Sequence, residues 1–195
     1  MSCIIDNALY LGGCDDLTAS FLSDHRIKTI INVAKECNDI LLGHMEIQMF
    51  KYEFTDTINS IYTYIEDIVE LIEKQLTQGA VIIHCYAGVS RSATFVLAYL
   101  MKAKEWNLCE AFSYVMDKRQ IKPNPMFIRD LMRYEEDLYD TRSFQFIYDE
   151  YTVDYIVNAS GIRDKCIKYI RAKYREMDRD VLKTMESIEQ DFEKF

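Results

Sequence analysis

The sequence has little that could hold a nucleic acid or a membrane. Its formal net charge is −9 and it contains no run rich in Lys or Arg, so no extended basic surface is expected. No apolar run reaches membrane-spanning length, and the first residues, MSCIIDNALYLGG, lack the apolar core of a signal peptide. We therefore expect an intracellular protein, cytoplasmic or alternatively nuclear, whose partners include neither membranes nor nucleic acids.

The sequence also lacks the spacings that mark disulfide frameworks and metal sites. Its six cysteines form no C-x-x-C pair, and a chain of 195 residues does not need disulfides to be stable. No group of His, Cys and carboxylate residues has metal-ligand spacing. We therefore expect free thiols, most of them small core residues, and neither a metal nor another cofactor. The cysteines are Cys3, Cys14, Cys37, Cys85, Cys109 and Cys166.

The chain does contain enough apolar sequence for a full-sized core, since 49% of its residues are apolar and 28% are charged. Strand-like and helix-like segments alternate, which predicts an α/β fold with a central, mostly parallel sheet flanked by helices. The strands are predicted at 4–11 (ending in a Gly-Gly turn), 27–33, 45–54 and 80–84, and the helices at 17–22, from Asn59 or Ser60 to Gly79, from Arg91 onward, at 108–119 and at 126–139.

One short loop carries a thiol and a guanidinium at its two ends. In VIIHCYAGVSRSATFVLAYL (81–100), an apolar strand leads through Cys85, Gly88 and Arg91 into a helix. Open α/β sheets bind ligands at the carboxyl ends of their strands, and the N–H groups of such a turn attract anions. Gly88 lets the backbone approach an anion, Arg91 offers a planar fork for two oxygens, and the positive surroundings favour the thiolate of Cys85. The loop therefore supplies a nucleophile and an oxyanion cradle.

Each of these residues also has an ordinary structural explanation. A Cys at the end of a strand is more often an inert buried residue, and an Arg at the start of a helix is usually a solvated charge. The combination of Cys-x5-Arg with a Gly between them, an apolar strand before and an apolar helix after is much more restrictive. We therefore interpret the loop as functional.

The segment HCYAGVSRS (84–92) resembles the HCxxGxxR[ST] signature of the cysteine-dependent protein tyrosine phosphatases. Its HCxAGxSRS form is especially similar to the dual-specificity branch of that superfamily. Three further segments, LYLGG (9–13), TIINVAKE (29–36) and NPMFIRDLMRYEEDL (124–138), look like matching parts of small dual-specificity phosphatases. The resemblance covers about residues 3–140.

The resemblance implies a role for each position of this signature. Cys85 would attack phosphorus in line and form a thiophosphate intermediate, and Ser92 would hydrogen-bond the thiolate and help it to leave. Arg91 and the loop N–H groups would hold the three equatorial oxygens of the phosphoryl group. His84 would orient the loop and help to favour the thiolate. The loop N–H groups belong to Tyr86, Ala87, Gly88, Val89, Ser90 and Arg91.

The implied reaction also needs a proton donor for the leaving oxygen. The family takes an Asp from a loop that precedes the helix before the nucleophile strand, and FTDTINS (54–60) places Asp56 there. We predict that Asp56 is the general acid and then the base that activates water. Glu53 lies closer to the preceding strand, and Asp67 lies within the helix. The alternative for Asp56 is a helix cap or a simple turn residue.

Asn124 lies between two prolines, where one helix ends before another begins. It resembles a family Asn that hydrogen-bonds near the phosphate-binding loop. Turn chemistry explains an Asn at this position equally well, so the sequence leaves both interpretations open.

The resemblance implies a protein phosphatase that acts on phosphotyrosine and on phosphoserine or phosphothreonine in proteins, without a cofactor. The chain lacks a KNRY-like segment, which in larger tyrosine-specific members builds a deep pocket, so a shallower cleft is implied. The loop has no Lys for the extra phosphates of a lipid, and the acidity of the chain weighs against RNA 5′-phosphates. A phosphoprotein-binding module without turnover is the other class, and the intact Cys85 speaks against it. A sulfurtransferase or an arsenate reductase fits the loop poorly.

The family pattern ends near residue 140. SFQFIYDEYTVDYIVNAS (143–160) is rich in aromatic residues, and residues 161–195 repeat apolar positions every three or four residues, the period of a helix with one apolar face. Such a helix could form a homodimer, dock a partner or fold back on the rest of the chain. We therefore predict a phosphatase catalytic domain over 1–142 and an aromatic-rich, helical extension over 143–195.

Overall fold

The computed structural model describes residues 1–38, 46–57, 59–148 and 153–157. Within these ranges, five strands form the main sheet: β1 (Ser2–Ile5), β2 (Leu9–Gly13), β3 (Ile27–Asn32), β4 (Gln48–Lys51) and β5 (Ala80–Cys85). Their order is β1-β2-β5-β3-β4, with β1 antiparallel to β2 and all other neighbours parallel. This topology confirms the mostly parallel sheet of the predicted α/β fold.

The helices of the described ranges cover this sheet. They are α1 (Ala19–Asp24), α2 (Ile65–Leu76), α3 (Arg91–Lys104), α4 (Leu108–Lys118) and α5 (Pro125–Tyr139). α3 is buried from Arg91 to Met101, and α2, α4 and α5 all pack against it. None of the helices in this part of the chain has both the length and the apolarity to cross a membrane. α3 is therefore the centre of the helical layer, and its N-terminus follows directly on the functional loop.

Both faces of the central strands are buried, which explains their continuous apolar runs. The larger core, shared with α2 to α5, includes Leu11, Ile31 and Ile83. The smaller core, shared with α1, includes Tyr10, Ile30 and Ile82. Because the register places these residues side by side on β2, β5 and β3, the carboxyl ends of the three strands meet at one edge. That edge is where the candidate site lies.

Several predicted boundaries are wrong. Residues 4–11 belong to two antiparallel strands, because a polar turn divides the apolar run, and the two glycines predicted as a turn continue β2. Of the strand predicted at 45–54, residue 45 lies outside the described residues, and within 46–54 only the four residues of β4 form a strand. The helix predicted at 17–22 begins later, because Thr18 caps it by accepting from the backbone N–H of Phe21.

The predicted start of α2 is also wrong. A 3-10 turn over Tyr62–Tyr64 precedes the helix, which begins at Ile65 without a side-chain cap, so neither Asn59 nor Ser60 caps it. Ser60 instead accepts from a backbone N–H of the 3-10 turn. Ile61 and Ile65 are both buried, so the apolar spacing continues through the turn and does not reveal where α-helical geometry begins.

The described part of the extension contains strands that the sequence did not predict. β6 (Phe144–Tyr148) and β7 (Val153–Val157) form an antiparallel pair. The helix predicted over 161–195 lies outside the described residues, as do the homodimer and docking contacts predicted for it. Those remain predictions.

Candidate active site

The candidate nucleophile lies at the centre of the sheet. β5 runs between β2 and β3, and Cys85, its last residue, pairs in register with Gly13 while His84 pairs with Asn32. Cys85 is only 2% exposed. The connection to α3, residues 85–91, is named the signature loop below. α3, a helix of 14 residues, begins at the end of this loop, and Ser92 of its first turn contacts the thiol. The positive end of the helix dipole therefore lies beside Cys85.

The carbonyl groups of the signature loop are engaged by the protein behind it. The bonds run from Cys14 N to Tyr86 O (2.9 Å), from Arg119 Nη2 to Ala87 O (3.1 Å), from Arg119 Nε to Gly88 O (2.7 Å) and from Lys122 N to Val89 O (2.5 Å). A planar peptide holds its C=O and the next N–H on opposite sides. The N–H groups of residues 87–90 therefore face the opposite, concave side, where they can bind an anion.

Arg119 makes two of these bonds, and the sequence did not single it out. Its guanidinium also contacts Asp16, with 3.3 Å between Nη2 and the carboxylate oxygen Oδ2. Arg119 follows α4 in the chain and is 31 residues away in sequence from Gly88, whose carbonyl oxygen it binds. Nothing in the local sequence distinguishes such an Arg from a solvated charge. Its position shows that it holds the loop from behind.

The structure gives Gly88 a second requirement beside the predicted approach to an anion, which stays a prediction. It has a φ of +69°, and a Cβ at this position would lie 2.2 Å from the carbonyl carbon of Gly12 and 2.4 Å from the nitrogen of Gly13. A Cβ on Gly13 would lie 2.7 Å from Tyr86 O. The loop therefore packs directly on the backbone of β2, which only glycines permit here.

Two side chains surround the thiol of Cys85. The fully buried hydroxyl of Ser92 donates to Sγ over 3.2 Å, as the resemblance implied for this position. His84 is also buried, and its Nδ1 lies 3.4 Å from the carbonyl oxygen of Cys85. In the tautomer with a proton on Nδ1, this ring would hold the backbone at the start of the loop.

Arg91 is 4% exposed and lies in a fixed orientation. Its Nη1 donates to Glu36 Oε2 (2.7 Å) and to the carbonyl oxygen of Phe54 (2.9 Å), and its Nη2 donates to Glu36 Oε1 (2.5 Å). These contacts use three of the five N–H donors of a guanidinium. Nε is buried and has no hydrogen-bond partner among the described residues. One lateral edge, formed by Nε and the second N–H of Nη2, therefore keeps two unused donors, the pair that can bind two oxygens of an oxyanion.

Glu36 is a site residue to which sequence analysis assigned no role. It follows β3, the neighbour of β5, so its carboxylate reaches the same sheet edge. The hydrogen bond from Arg91 lowers the pKa of Glu36, while burial acts in the opposite direction. An acidic residue just past a buried strand beside the nucleophile strand is the signal that could have identified it.

The structure brings Asp56 to the signature loop. Its Oδ1 accepts from the hydroxyl of Ser90 (2.8 Å) and from Nδ2 of Asn124 (2.7 Å). Asp56 caps no helix of the described residues, which excludes the helix-cap alternative, but it lies in a bend, so the turn alternative still applies. The side-chain role of Ser90 was missed, because only its N–H was considered. The residues 54–61 that carry Asp56 are named the acid loop below.

Asn124 caps a helix and also contacts both loops of the site, and it lies in no turn of the described residues. Its Oδ1 caps α5 by accepting from the N–H of Phe127 over 3.0 Å. Its Nδ2 donates to Asp56 and to the carbonyl oxygen of Thr57 (3.1 Å), and its backbone N–H donates to the hydroxyl of Ser90 (3.2 Å). Asn124 therefore connects α5, the acid loop and the signature loop.

Replacing Glu36 by Gln should remove a pH-dependent part of the stability. Because the folded-state pKa of Glu36 lies below its ordinary value of 4.5, the ionised carboxylate stabilises the fold above that value, and the contribution disappears as the pH falls through the lower folded-state pKa. The Tm of the wild type should exceed that of Glu36→Gln at neutral pH, and the two Tm values should coincide at an acidic pH below the folded-state pKa of Glu36. Glu53→Gln, which changes an exposed carboxylate, is the control, and its Tm should equal that of the wild type at both pH values. A gap of equal size at both pH values would exclude the Glu36–Arg91 charge pair as its source.

Comparison with known proteins agrees with this geometry. The family model of the dual specificity phosphatase catalytic domain matches residues 9–137. Dual specificity protein phosphatase 5 of Rattus norvegicus is 32% identical over 133 residues, which are 67% of this chain and 34% of that relative. Putative tyrosine phosphatase 123R of Invertebrate iridescent virus 6 is 34% identical over 143 residues, which are 72% of this chain and 96% of the viral protein.

A solved structure shows the same fold. The crystal structure of human tyrosine phosphatase-like serine/threonine/tyrosine-interacting protein has a TM-score of 0.63 and 31% identity, and the match covers 72% of this chain and 98% of that one. The chain spans about a third of the length of the rat relative, whereas it matches almost all of the viral and human proteins. The family model covers more than half of the chain and includes the signature loop and the acid loop. The chain therefore belongs to the dual-specificity phosphatase family.

Proposed function

We propose that the protein is a dual-specificity protein phosphatase, which hydrolyses phosphotyrosine and phosphoserine or phosphothreonine in proteins through a phosphocysteine intermediate. One observation carries the proposal: a buried thiol, an open guanidinium edge and a carboxyl group meet at the signature loop. They belong to Cys85, Arg91 and Asp56. Nucleophile, oxyanion clamp and proton donor are the three groups that this reaction requires.

In the first step, the thiolate of Cys85 attacks the phosphorus of the substrate, so that an S–P bond forms while the P–O bond to the leaving group breaks. The non-bridging oxygens accept from the loop N–H groups and from the open edge of Arg91, which stabilises charge in the transition state. Asp56 donates a proton to the leaving oxygen. Both contacts to Asp56 involve Oδ1, which leaves Oδ2 to carry that proton.

In the second step, a water molecule attacks the phosphorus of phosphocysteine. Asp56, now ionised, takes a proton from the water, and the S–P bond breaks to release inorganic phosphate and the thiolate. The hydroxyl of Ser92, which already donates to Sγ, stabilises the negative charge on the departing sulfur. No step draws on a cofactor, so turnover should persist in EDTA.

The surface of the signature loop supports a protein substrate with either kind of phosphoresidue. Tyr86 is 59% exposed and Ala87 is exposed beside it, which fits an open cleft that takes residues of different length. The variable positions of the loop carry no Lys for the additional phosphates of a lipid head group. The net charge of −9 disfavours an RNA end.

A phosphoprotein-binding module is the second candidate. The solved human relative is named a tyrosine phosphatase-like, interacting protein and shares 31% identity with this chain. The same concave loop could hold a phosphoresidue without turnover. The thiol of Cys85, its bond from Ser92 and the nearby carboxyl group of Asp56 favour the enzyme.

Phosphate release from phosphotyrosine and phosphothreonine peptides tests the proposal. Both peptides should be hydrolysed in EDTA. Cys85→Ser should lower turnover about 10³-fold or more, because the nucleophile is lost. Asp56→Ala should lower it about 10²- to 10⁴-fold, because the leaving oxygen is no longer protonated. Glu53→Ala is the matched control, since this nearby exposed carboxylate has no role in the reaction.

Two outcomes of this assay would contradict the enzyme proposal. Retained peptide binding without turnover by the wild type would identify a binding module. Absence of both binding and turnover with either peptide, combined with activity on lipid or RNA phosphates, would identify a different substrate class.

Replacing Gly88 by Ala should reduce kcat/KM for these peptides at least about tenfold, because a Cβ would push the loop away from β2 and misplace its N–H groups. Gly79→Ala is the control. Gly79 also has a positive φ (+148°), but it lies before β5 at the opposite end of the strand, and its Cβ would meet only the side chain of Lys28. It should lower the Tm without changing kcat/KM. Equal kinetic effects of the two substitutions would show that loop placement is not limiting.

A further inference from the structure

The acid loop is attached to α5 at a second point, beyond the contact of Asn124. Asp130, in the second turn of the helix, accepts from the hydroxyl of Ser60 at Oδ1 (2.8 Å) and from the backbone N–H of Ile61 at Oδ2 (2.7 Å). Asn124 binds the acid loop at Asp56 and Asp130 binds it at its end. A single rigid helix therefore holds both parts of the loop that carries the proton donor.

The contacts of Asp130 are geometrically specific. Each carboxylate oxygen has one donor, and Ser60 also accepts from the backbone N–H of Tyr62, so the hydroxyl lies between the helix and the next turn of the chain. The two donors come from consecutive residues, which fixes both the position and the direction of the backbone there. Ser60 is four positions after Asp56, so these contacts fix the chain close to the proposed proton donor.

A carboxylate at this position is unfavourable as simple core packing. Asp130 is 5% exposed, and burial raises its pKa although the two hydrogen bonds and the charges of Arg129 and Arg133 act in the opposite direction. Desolvation of a buried carboxylate is costly unless its hydrogen bonds offset it. The two hydrogen bonds from the end of the acid loop offset part of the desolvation cost of the Asp130 carboxylate.

We propose that Asp130 is a positioning residue for the general acid: by fixing the end of the acid loop, it keeps Asp56 at Ser90 and Asn124, where it can protonate the leaving oxygen. This inference rests on the proposed function, because it requires Asp56 to be the proton donor. Asp130 itself touches neither the thiol nor the substrate. It acts through the loop and therefore affects catalysis only as far as the acid is needed.

Leaving-group dependence separates this role from a general loss of structure. Phenyl phosphate has a strongly basic leaving group and needs the acid, whereas 4-nitrophenyl phosphate needs it less. Asp130→Ala should lower kcat/KM, which reports the step in which the leaving group departs, about tenfold or more for phenyl phosphate and much less for 4-nitrophenyl phosphate. Asp130→Asn should restore most of the activity, because its oxygen can accept from Ile61 and its amide can donate to Ser60. Glu136→Ala, an exposed carboxylate of the same helix, is the matched control.

A double-mutant cycle gives the second readout. In the Asp56→Ala background, Asp130→Ala should cause no further loss of kcat/KM, because the residue through which it acts is already absent. Equal losses for both aryl phosphates, or an additional loss in the Asp56→Ala background, would overturn the proposal and show that Asp130 supports the fold or the signature loop.

Ser60→Ala keeps the test decisive if Asp130→Ala does not fold. It removes one of the two bonds, so the same selective loss for phenyl phosphate should appear at smaller size, and an equal loss for both substrates would overturn the proposal. Failure of the proposed function would be seen separately, because Asp56→Ala alone would then leave the turnover of phenyl phosphate unchanged.

Discussion

The paired hydrogen bonds between Glu36 and Arg91 are the contact on which the rest of the site depends. A guanidinium that is 4% exposed is stable only when a charged partner and further acceptors replace the water it has lost. Glu36 supplies that charge and Phe54 supplies a carbonyl oxygen, and together they use the donors on one side of the group. The opposite edge, which contains Nε, has no hydrogen-bond partner among the described residues, and the proposed function assigns it to the phosphoryl group.

The backbone of the signature loop is also oriented by contacts within the protein. The loop carbonyls are bonded from behind by Cys14, Arg119 and Lys122, so the N–H groups face the anion site before any substrate arrives. The acid loop is held by the same contacts, because the carbonyl oxygen of Phe54 accepts from Arg91. The ring of Phe54 also packs on the ring of Phe95 in α3, with 5.4 Å between the ring centroids. The signature loop and the acid loop are therefore held by one connected set of contacts.

The strand, loop and helix around Cys85 could be predicted from the sequence, because the apolar runs and turn residues that define them are consecutive in the chain. The positions of Asp56 and Asn124 followed from resemblance. Glu36 and Asp130 received no role, because their partners lie 55 and 70 residues away along the chain and the pairing exists only after folding. Gly88 was singled out for its approach to an anion, and the packing of the loop on β2, which the sequence did not reveal, requires a glycine there as well. Local patterns and resemblance thus pointed to the candidate residues, and tertiary contacts determine how their side chains are oriented.

Oxyanion binding tests the central claim most directly. The affinity for tungstate, a tetrahedral phosphate analogue, should be measured by isothermal titration calorimetry at neutral pH for the wild type and Glu36→Gln. If Glu36 fixes Arg91 with its open edge towards the signature loop, the substitution should weaken binding about tenfold, because the bidentate site is no longer preformed. Unchanged or tighter binding by Glu36→Gln would contradict the account, since it would show that Glu36 competes with the anion for Arg91 instead of orienting it.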